Sequence, residues 1–150
     1  MGFALFFLLA WLLTGIFIII PKRLSPVENT FIFLLLLVII INVSWINVEE
    51  MKAIHVSRKP LDYTAFLLNR SIIMPMIVLI LMNLFHQFIF IVSTVVMMMG
   101  MSLLTTSFHI LTYTKWNFGY DVLYYLLLAL VALFSLRGFK QVTKDVVNPT

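Results

Sequence analysis

Long apolar runs, separated by short segments that carry the charges, dominate this chain. Mainly apolar residues fill positions 3–20, 30–48 and 118–136, and no Asp, Glu, Lys or Arg occurs between Ser71 and Thr114. The hydrocarbon core of a bilayer is about 30 Å thick and a helix rises about 1.5 Å per residue, so one crossing needs roughly 20 apolar residues. Each of the three runs is therefore long enough for one spanning helix.

The uncharged stretch between Ser71 and Thr114 is too long for a single crossing. As one helix it would measure about 65 Å, twice the thickness of a bilayer. Its most polar interruption lies at Asn83 to Gln87, where we expect a tight turn. The fold class is thus predicted as all-α: a polytopic transmembrane helical bundle, with the whole chain 1–150 as one integral membrane domain. The predicted spans are 3–20, 30–48, 66–85, 88–111 and 118–136.

Composition supports a membrane protein and narrows the function classes. The chain is 63% hydrophobic and 11% charged, whereas soluble proteins have about 25% charged residues. The net charge of +4 is spread over short segments beside the apolar runs, which favours lipid headgroups as partner and argues against nucleic acid. Cysteine is absent, so thiol chemistry and thiolate metal sites are excluded. Span one lacks a basic n-region and is predicted to be a retained helix.

Basic residues give a weak signal for orientation. Five crossings would place Lys22, Arg23, Arg137, Lys140 and Lys144 on one side of the membrane, and Lys52, Arg58, Lys59, Arg70 and Lys115 on the other. The two counts are equal, so the positive-inside rule does not decide on number alone. Because Lys22, Arg23 and Arg137 sit directly at helix ends, we expect a bacterial plasma-membrane protein with its N-terminus outside and its C-terminus in the cytoplasm.

Polar side chains inside spanning helices mark either helix contacts or functional sites, because they are costly in lipid. Ser102, Thr105, Thr106 and His109 share one face of span four, and we expect that face to point into the bundle. In a five-span topology, four helix ends meet on one side of the membrane. They are the end of span two, the start of span three, the end of span four and the start of span five. The predicted intramembrane polar cluster is Glu49, Glu50, Asn69, Arg70, His109 and Asp121.

Alternatives remain for several of these residues. Arg70 either snorkels or pairs with Glu49 or Glu50, or it contributes to a solute or proton site. His86 and His109 would lie near opposite ends of a hairpin and so could not share a metal ion. The methionines from Met97 to Met101 point around the helix, which favours packing over Cu(I) binding. Pro75 is predicted to kink span three. No catalytic residue, metal or cofactor is predicted.

Three segments carry a resemblance to a known group of proteins. They are Ile20-Pro21-Lys22-Arg23, then Phe66 to Ser71 leading to Pro75 and Asn83-Leu84-Phe85, and Lys115-Trp116-Asn117. Over nearly the whole chain the sequence resembles a family of small uncharacterised membrane proteins of Gram-positive bacteria. The resemblance implies about five spans, a proline-interrupted third helix and a basic tail. The sequence departs from the family in the third connection, where charges are usual and His86-Gln87 stands here. The family has no established activity, so no site residue is implied.

Two functions follow from this pattern. The first is a non-enzymatic accessory or structural component, which acts through helix–helix contacts with a partner membrane protein or in a homo-oligomer. The alternative is a small transporter or channel with a polar site near Glu49, Arg70 and His109. Neutralising Arg70 discriminates between the two, because only a transporter would lose flux while still inserting into the membrane.

Overall fold

Five apolar helices form most of the structure, a computed structural model that describes residues 2–147, with side chains through Thr143. The helices are α1 (Gly2–Ile19), α2 (Pro26–Glu50), α3 (Pro60–Leu84), α4 (Gln87–Ser107) and α5 (Phe118–Val147). Each is long and apolar enough to cross a membrane. The structure is 81% helical, which confirms the predicted all-α bundle. Two short strands, β1 (Ile54–Val56) and β2 (Leu111–Tyr113), were not predicted.

Two helices begin earlier than predicted because their first turns tolerate polar residues. The start of α2 is a capping box in which Ser25 accepts from the backbone N–H of Glu28, and Glu28 accepts from that of Ser25. Glu28 therefore initiates the helix at Pro26, not at Thr30. The start of α3 is Pro60, six residues before Phe66, because proline suits the first turn, where no helical N–H bond is needed.

The end of α4 and the length of α5 also differ from the prediction. After Ser107 the chain turns through His109, which has a φ of 53°, and residues 111–113 leave the helix. They form β2, which pairs antiparallel with β1, with Ile54 opposite Tyr113 and Val56 opposite Leu111. The prediction that span four continues to Leu111 is wrong for this reason. By contrast, α5 continues past Leu136 through charged residues, and its 30 residues measure about 45 Å.

The break between α3 and α4 occupies only two residues, Phe85 and His86, and lies inside the interval predicted for the turn. Both residues have extended backbone conformations, and the next helix begins at Gln87. The two helices pack against each other along the hairpin. The long uncharged stretch therefore forms two helices, each long and apolar enough for one crossing.

Helix α3 is the centre of the bundle. In its apolar segment 61% of residues are buried, compared with 11% in α1. It packs against α1, α2 and α4, while α5 packs against α4 and α2. The last four helices thus form a closed ring of neighbours, with α1 outside it against α3. The outward side chains are large and apolar, as lipid contact requires.

The bundle has two ends that differ in structure. We call one the ribbon face: it carries β1, β2, the ends of α2 and α4, and the starts of α3 and α5. We call the other the hairpin face: it carries the α1–α2 connection, the turn at Phe85 and His86, and the basic part of α5. Near the ribbon face, α2 and α3 each contain a π turn, at Ile46–Glu50 and Asn69–Ile73. Pro75, at which a kink was predicted, follows the second π turn. The irregularity of α3 is thus a turn whose backbone hydrogen bonds join residues five positions apart.

Candidate intramembrane cavity

A cavity with many polar side chains in its wall lies between α2, α3, α4 and α5 near the ribbon face, and residues of β1 and β2 also line it. Its volume is about 60 Å³, enough for a few water molecules or one very small solute. Its polar lining consists of Ser44, Asn47, Asn69, Arg70, Ser102, Thr105, Tyr113, Trp116, Asp121, Tyr124 and Tyr125. Apolar side chains complete the wall, among them Val48, Phe66, Met74 and Leu111.

Asp121 is the acidic group of the cavity. It lies in the first turn of α5 and is only 4% exposed. The Tyr113 hydroxyl donates to its Oδ2, and Trp116 Nε1 donates to its Oδ1 over 2.7 Å. A buried carboxylate is tolerated only when it is hydrogen-bonded, and its place at a helix N-terminus is also favourable. Asp121 therefore joins the ribbon to α5, and both of its oxygens have partners.

Tyr113 stays protonated in this arrangement. It lies on β2, outside the spanning helices. Burial, together with the hydrogen bond to Asp121 and the charge of that carboxylate, raises the pKa of Tyr113 well above its usual value. The phenol is therefore a donor to the carboxylate throughout the physiological pH range.

Arg70 is the basic group of the cavity, and it does not pair as predicted. Its guanidinium carbon lies 5.0 Å from the centre of the Phe66 ring, and its Nε is buried without a hydrogen-bond partner. Within the side chains described, residues 2–143, the only ion pair is Lys140–Glu28. Of the alternatives for Arg70, the pairing with Glu49 or Glu50 is therefore wrong. Both glutamates are exposed at the end of α2.

Two more polar atoms in the cavity wall lack partners. They are Asn69 Oδ1 and Tyr124 Oη, and both are buried. Buried polar atoms are nearly always hydrogen-bonded in proteins, so three unpartnered atoms in the wall of one cavity are unusual. Together with Arg70 Nε, these atoms leave two hydrogen-bond donors and one acceptor unused at the cavity. A fourth such atom, Thr94 Oγ1, lies outside this lining.

Other polar groups of the wall hold the helices together. The hydroxyls of Ser102 and Tyr125 are hydrogen-bonded to each other and join α4 to α5. Thr105 donates to carbonyl oxygens of its own helix, as does Thr106. Of the predicted stripe, Ser102 and Thr105 are buried and Thr106 is half-buried. His109 lies beyond the helix and is exposed, so its predicted inward position is wrong.

The six residues of the predicted cluster divide into two groups. Asn69, Arg70 and Asp121 line the cavity. Glu49 borders a separate surface groove with Lys52 and Lys115, Glu50 is exposed, and His109 borders a shallow surface with His55 and Arg58. Within residues 2–147, no group of three His, Asp or Glu residues is arranged to hold a metal ion.

Sequence reasoning missed the aromatic half of the cavity. Of its residues Tyr113, Trp116, Tyr124 and Tyr125, only Trp116 takes part in the sequence analysis, within the segment Lys115-Trp116-Asn117. A signal was present, because Asp121, Tyr124 and Tyr125 are spaced i, i+3 and i+4 and so share a helix face. A buried acid next to tyrosines on one face is a pattern that indicates a polar interior.

Comparison with known proteins adds no relative. No protein-family model matches the chain, and no curated protein or solved structure matches it. The fold itself defines the class, a multi-pass helical membrane protein. The resemblance to a Gram-positive family stays a prediction.

Proposed function

We propose that this protein is a non-enzymatic membrane protein that binds a small polar solute in the cavity at its ribbon face. The observation that carries the proposal is the set of three buried, unpartnered polar atoms around one space: Asn69 Oδ1, Arg70 Nε and Tyr124 Oη. Two of these groups can donate and one accepts. A bound anion would satisfy the two donors, and a water molecule beside it would donate to Asn69 Oδ1.

The charges of the cavity indicate the chemistry of that solute. Asp121 already accepts two hydrogen bonds, whereas Arg70 faces no carboxylate within ion-pair distance among the described side chains. Of the two charged groups, it is therefore the cation that still lacks a hydrogen-bond partner. We therefore expect a solute with an acceptor or anionic group, and the volume limits it to a few heavy atoms, such as formate, acetate or a halide.

Binding is better supported than an open channel. Between the cavity and the hairpin face the ring of helices is filled with buried apolar side chains. Ile40, Ile77, Met98 and Leu128 are each at most 2% exposed. This apolar layer separates the cavity from the hairpin face. Transport would need a second conformation in which this apolar layer opens.

Trp116 lines the cavity and supplies a direct test. The chain has three tryptophans, so changing Trp11 and Trp45 to Phe leaves Trp116 as the only fluorophore. In lipid nanodiscs this protein should show a saturable fluorescence change with formate, acetate or chloride. The additional change Arg70→Gln should abolish the response, while Arg58→Gln, an exposed cation on the same face, should leave it intact. A response that survives Arg70→Gln, or no response to any of these anions, contradicts the proposal.

A second role, as accessory component of an assembly, is favoured by the position of Trp11. Tryptophan in membrane proteins collects at the two interfaces, but Trp11 lies in the middle of α1 and is 72% exposed. This large side chain would suit a helix of a partner membrane protein or of a second copy. A specific oligomer or partner in nanodiscs should be lost in Trp11→Ala and kept in Trp45→Ala. A monomer without partner in the unchanged protein would exclude this role.

We also propose that the hairpin face is cytoplasmic in a bacterial plasma membrane, with the N-terminus outside. Lys22 and Arg23 follow the end of α1, and Arg137 and Lys140 lie on the basic part of α5 at the same face. Basic residues close to the ends of the apolar segments act most strongly on orientation. Since the chain has no cysteine, single cysteines introduced at Thr112 and Gln141, both exposed, report on the two faces. An impermeant maleimide should label intact cells at Thr112→Cys only. Labelling at Gln141→Cys only would reverse the orientation.

A further inference from the structure

A second pocket lies at the hairpin face, at the opposite end of the bundle from the polar cavity. It has a volume of about 300 Å³ and lies between the α1–α2 connection, the turn at Phe85 and His86, and the basic part of α5. Its floor is apolar and consists of Leu24, Met82, Phe85, Phe90, Leu133 and Leu136. Its rim is polar and basic, with Arg23, His86, Gln87, Arg137 and Lys140.

Both the backbone and the side chain of Arg23 are held in place on this rim. Its backbone N–H, and that of Leu24, donate to the Oδ1 of Asn83. Its guanidinium donates to the carbonyl oxygen of Phe85 over 3.3 Å and lies 3.4 Å from His86 Nδ1. None of these partners is a carboxylate. The positive charge of Arg23 is thus positioned by neutral groups and remains available to an anion.

The opposite side of the rim is also positive. The guanidinium of Arg137 donates to the Oε1 of Gln87 and lies 5.8 Å from the ring centre of Phe134. Lys140 is 3.6 Å from Glu28, whose carboxylate is shared with the backbone N–H of Ser25. Three cations therefore face one carboxylate, and the rim keeps a net positive charge even with His86 neutral.

The start of α4 adds to this positive field. The helix begins at Gln87, a rim residue, and His86 at its N-cap makes no side-chain cap. The first N–H groups of a helix lack helical partners and carry partial positive charge, which favours phosphate and other anions. The two residues that follow, Phe88 and Ile89, are strongly exposed and would lie against lipid. The pocket thus borders the surface from which a lipid can enter.

We propose that this pocket binds the phosphate of an anionic phospholipid, with Arg23 and Arg137 on the phosphate and the glycerol and upper acyl chains on the apolar floor. Arginine suits phosphate because its planar guanidinium donates two parallel hydrogen bonds. A free phosphate ion would use only the rim, whereas a lipid uses the rim and the floor together. Basic pockets between helices near a headgroup layer are typical of such sites.

Lipid retention by the whole protein tests the proposal. Protein taken from nanodiscs that contain phosphatidylcholine and phosphatidylglycerol should carry one tightly held phosphatidylglycerol in native mass spectrometry. Arg23→Gln with Arg137→Gln should weaken this preference roughly thirty-fold, the effect expected from removing two interfacial cations. Arg58→Gln with Lys59→Gln, which removes two exposed cations from the ribbon face, should leave it unchanged. Equal retention of both lipids, or a preference that survives the Arg23 and Arg137 changes, overturns the proposal.

Two additional experiments distinguish a bound lipid from a bound soluble anion. Inorganic phosphate added at millimolar concentration should not displace the lipid, and displacement by phosphate alone would show a soluble-anion site instead. Leu133→Trp should fill the apolar floor and exclude the lipid while every cation remains. This variant also keeps the test decisive if the double arginine variant fails to accumulate, because retention of phosphatidylglycerol by Leu133→Trp would contradict a floor occupied by lipid.

Discussion

The side-chain amide of Asn83 donates a 2.8 Å hydrogen bond to the Oδ1 of Asn29 and joins the end of α3 to the start of α2. Both side chains are buried. The same amide accepts from the backbone N–H groups of Arg23 and Leu24. One residue at the end of the central helix thus orders the whole α1–α2 connection and, with it, the rim of the hairpin-face pocket.

Replacing Asn83 by Leu should therefore destabilise the fold more than an ordinary polar substitution. The change keeps the approximate volume but removes the partner of two backbone N–H groups and of the Oδ1 of Asn29, at a cost of about 1–3 kcal/mol. Thermal unfolding in mild detergent, followed by circular dichroism, should show a lower Tm. The matched control is Asn42→Leu, which removes an exposed amide that bonds only to its own helix at Val38. Equal Tm values for the two variants would refute this role of Asn83.

The Tyr113–Asp121 hydrogen bond predicts a loss of stability in alkali. Because the folded state raises the pKa of Tyr113 above the ordinary 10.0, the folded protein keeps the proton more strongly than the unfolded chain. The stabilisation is fully present below pH 10 and is lost as pH rises above that value. Chemical unfolding of the wild type between neutral pH and pH 11 should show this decline. Tyr113→Phe should be less stable at neutral pH and show a smaller decline, whereas Tyr63→Phe, at an exposed position, should behave as the wild type. Parallel curves for Tyr113→Phe and wild type would contradict the prediction.

His109 is predicted to be under backbone strain. Its φ of 53° lies in the left-handed region, which Asn adopts readily but which costs β-branched residues about 1–2 kcal/mol or more. His109→Asn should leave stability almost unchanged, and His109→Val should loosen the ribbon. Hydrogen exchange of residues 110–116 is the suitable measurement, because it reports local opening. Thr112→Val is the control, since a β-branched residue suits a strand. Faster exchange in the control than in His109→Val would be inconsistent with strain at His109.

Some features of the structure were predictable from sequence and others were not, and the two groups have different physical origins. The crossings and the turn near Phe85 follow from the thickness of a bilayer and the rise of a helix, which are the same for every protein. The ribbon instead depends on pairing between Ile54 and Tyr113, two residues far apart in sequence, and three-residue strands leave no pattern. The five-span topology alone is enough to predict that Asn69, Arg70 and Asp121 lie at the same depth in the membrane. The helix end at Ser107, which removes His109 from the cavity, is set by tertiary contacts of the ribbon.

At the hairpin face, aromatic stacking between α2 and α5 should contribute more to stability than the ion pair between the same helices. Phe31 and Phe139 stack with ring centres 4.6 Å apart, while Lys140 and Glu28 are 3.6 Å apart with the lysine side chain 46% exposed. An exposed ion pair contributes only about 0–1 kcal/mol, whereas an aromatic pair adds about 0.5–1.5 kcal/mol to its burial. Phe139→Ala should lower the Tm more than Lys140→Gln does. The reverse order would mean that the ion pair, not the rings, holds α5 to α2.

Two adjacent tyrosines on α5 should separate stability from binding. The Tyr125 hydroxyl is bonded to Ser102, whereas the Tyr124 hydroxyl is buried in the cavity wall without a partner. Tyr125→Phe therefore removes an interhelical hydrogen bond, worth about 0.6 kcal/mol on average in a membrane, and should lower the Tm slightly. Tyr124→Phe removes no bond within the protein and should leave the Tm unchanged or raise it.

In the Trp116 fluorescence titration, Tyr124→Phe should have the larger effect of the two variants. If a small anion occupies the cavity, Tyr124→Phe removes a direct donor to it and should weaken binding by about five- to ten-fold, the equivalent of one net hydrogen bond. Tyr125→Phe should bind the anion nearly as the wild type does, because its hydroxyl is already engaged with Ser102. The crossed pattern is a result that a purely structural cavity would not give. Equal affinities in both variants, together with a lower Tm for Tyr124→Phe, would show that the Tyr124 hydroxyl serves only the fold.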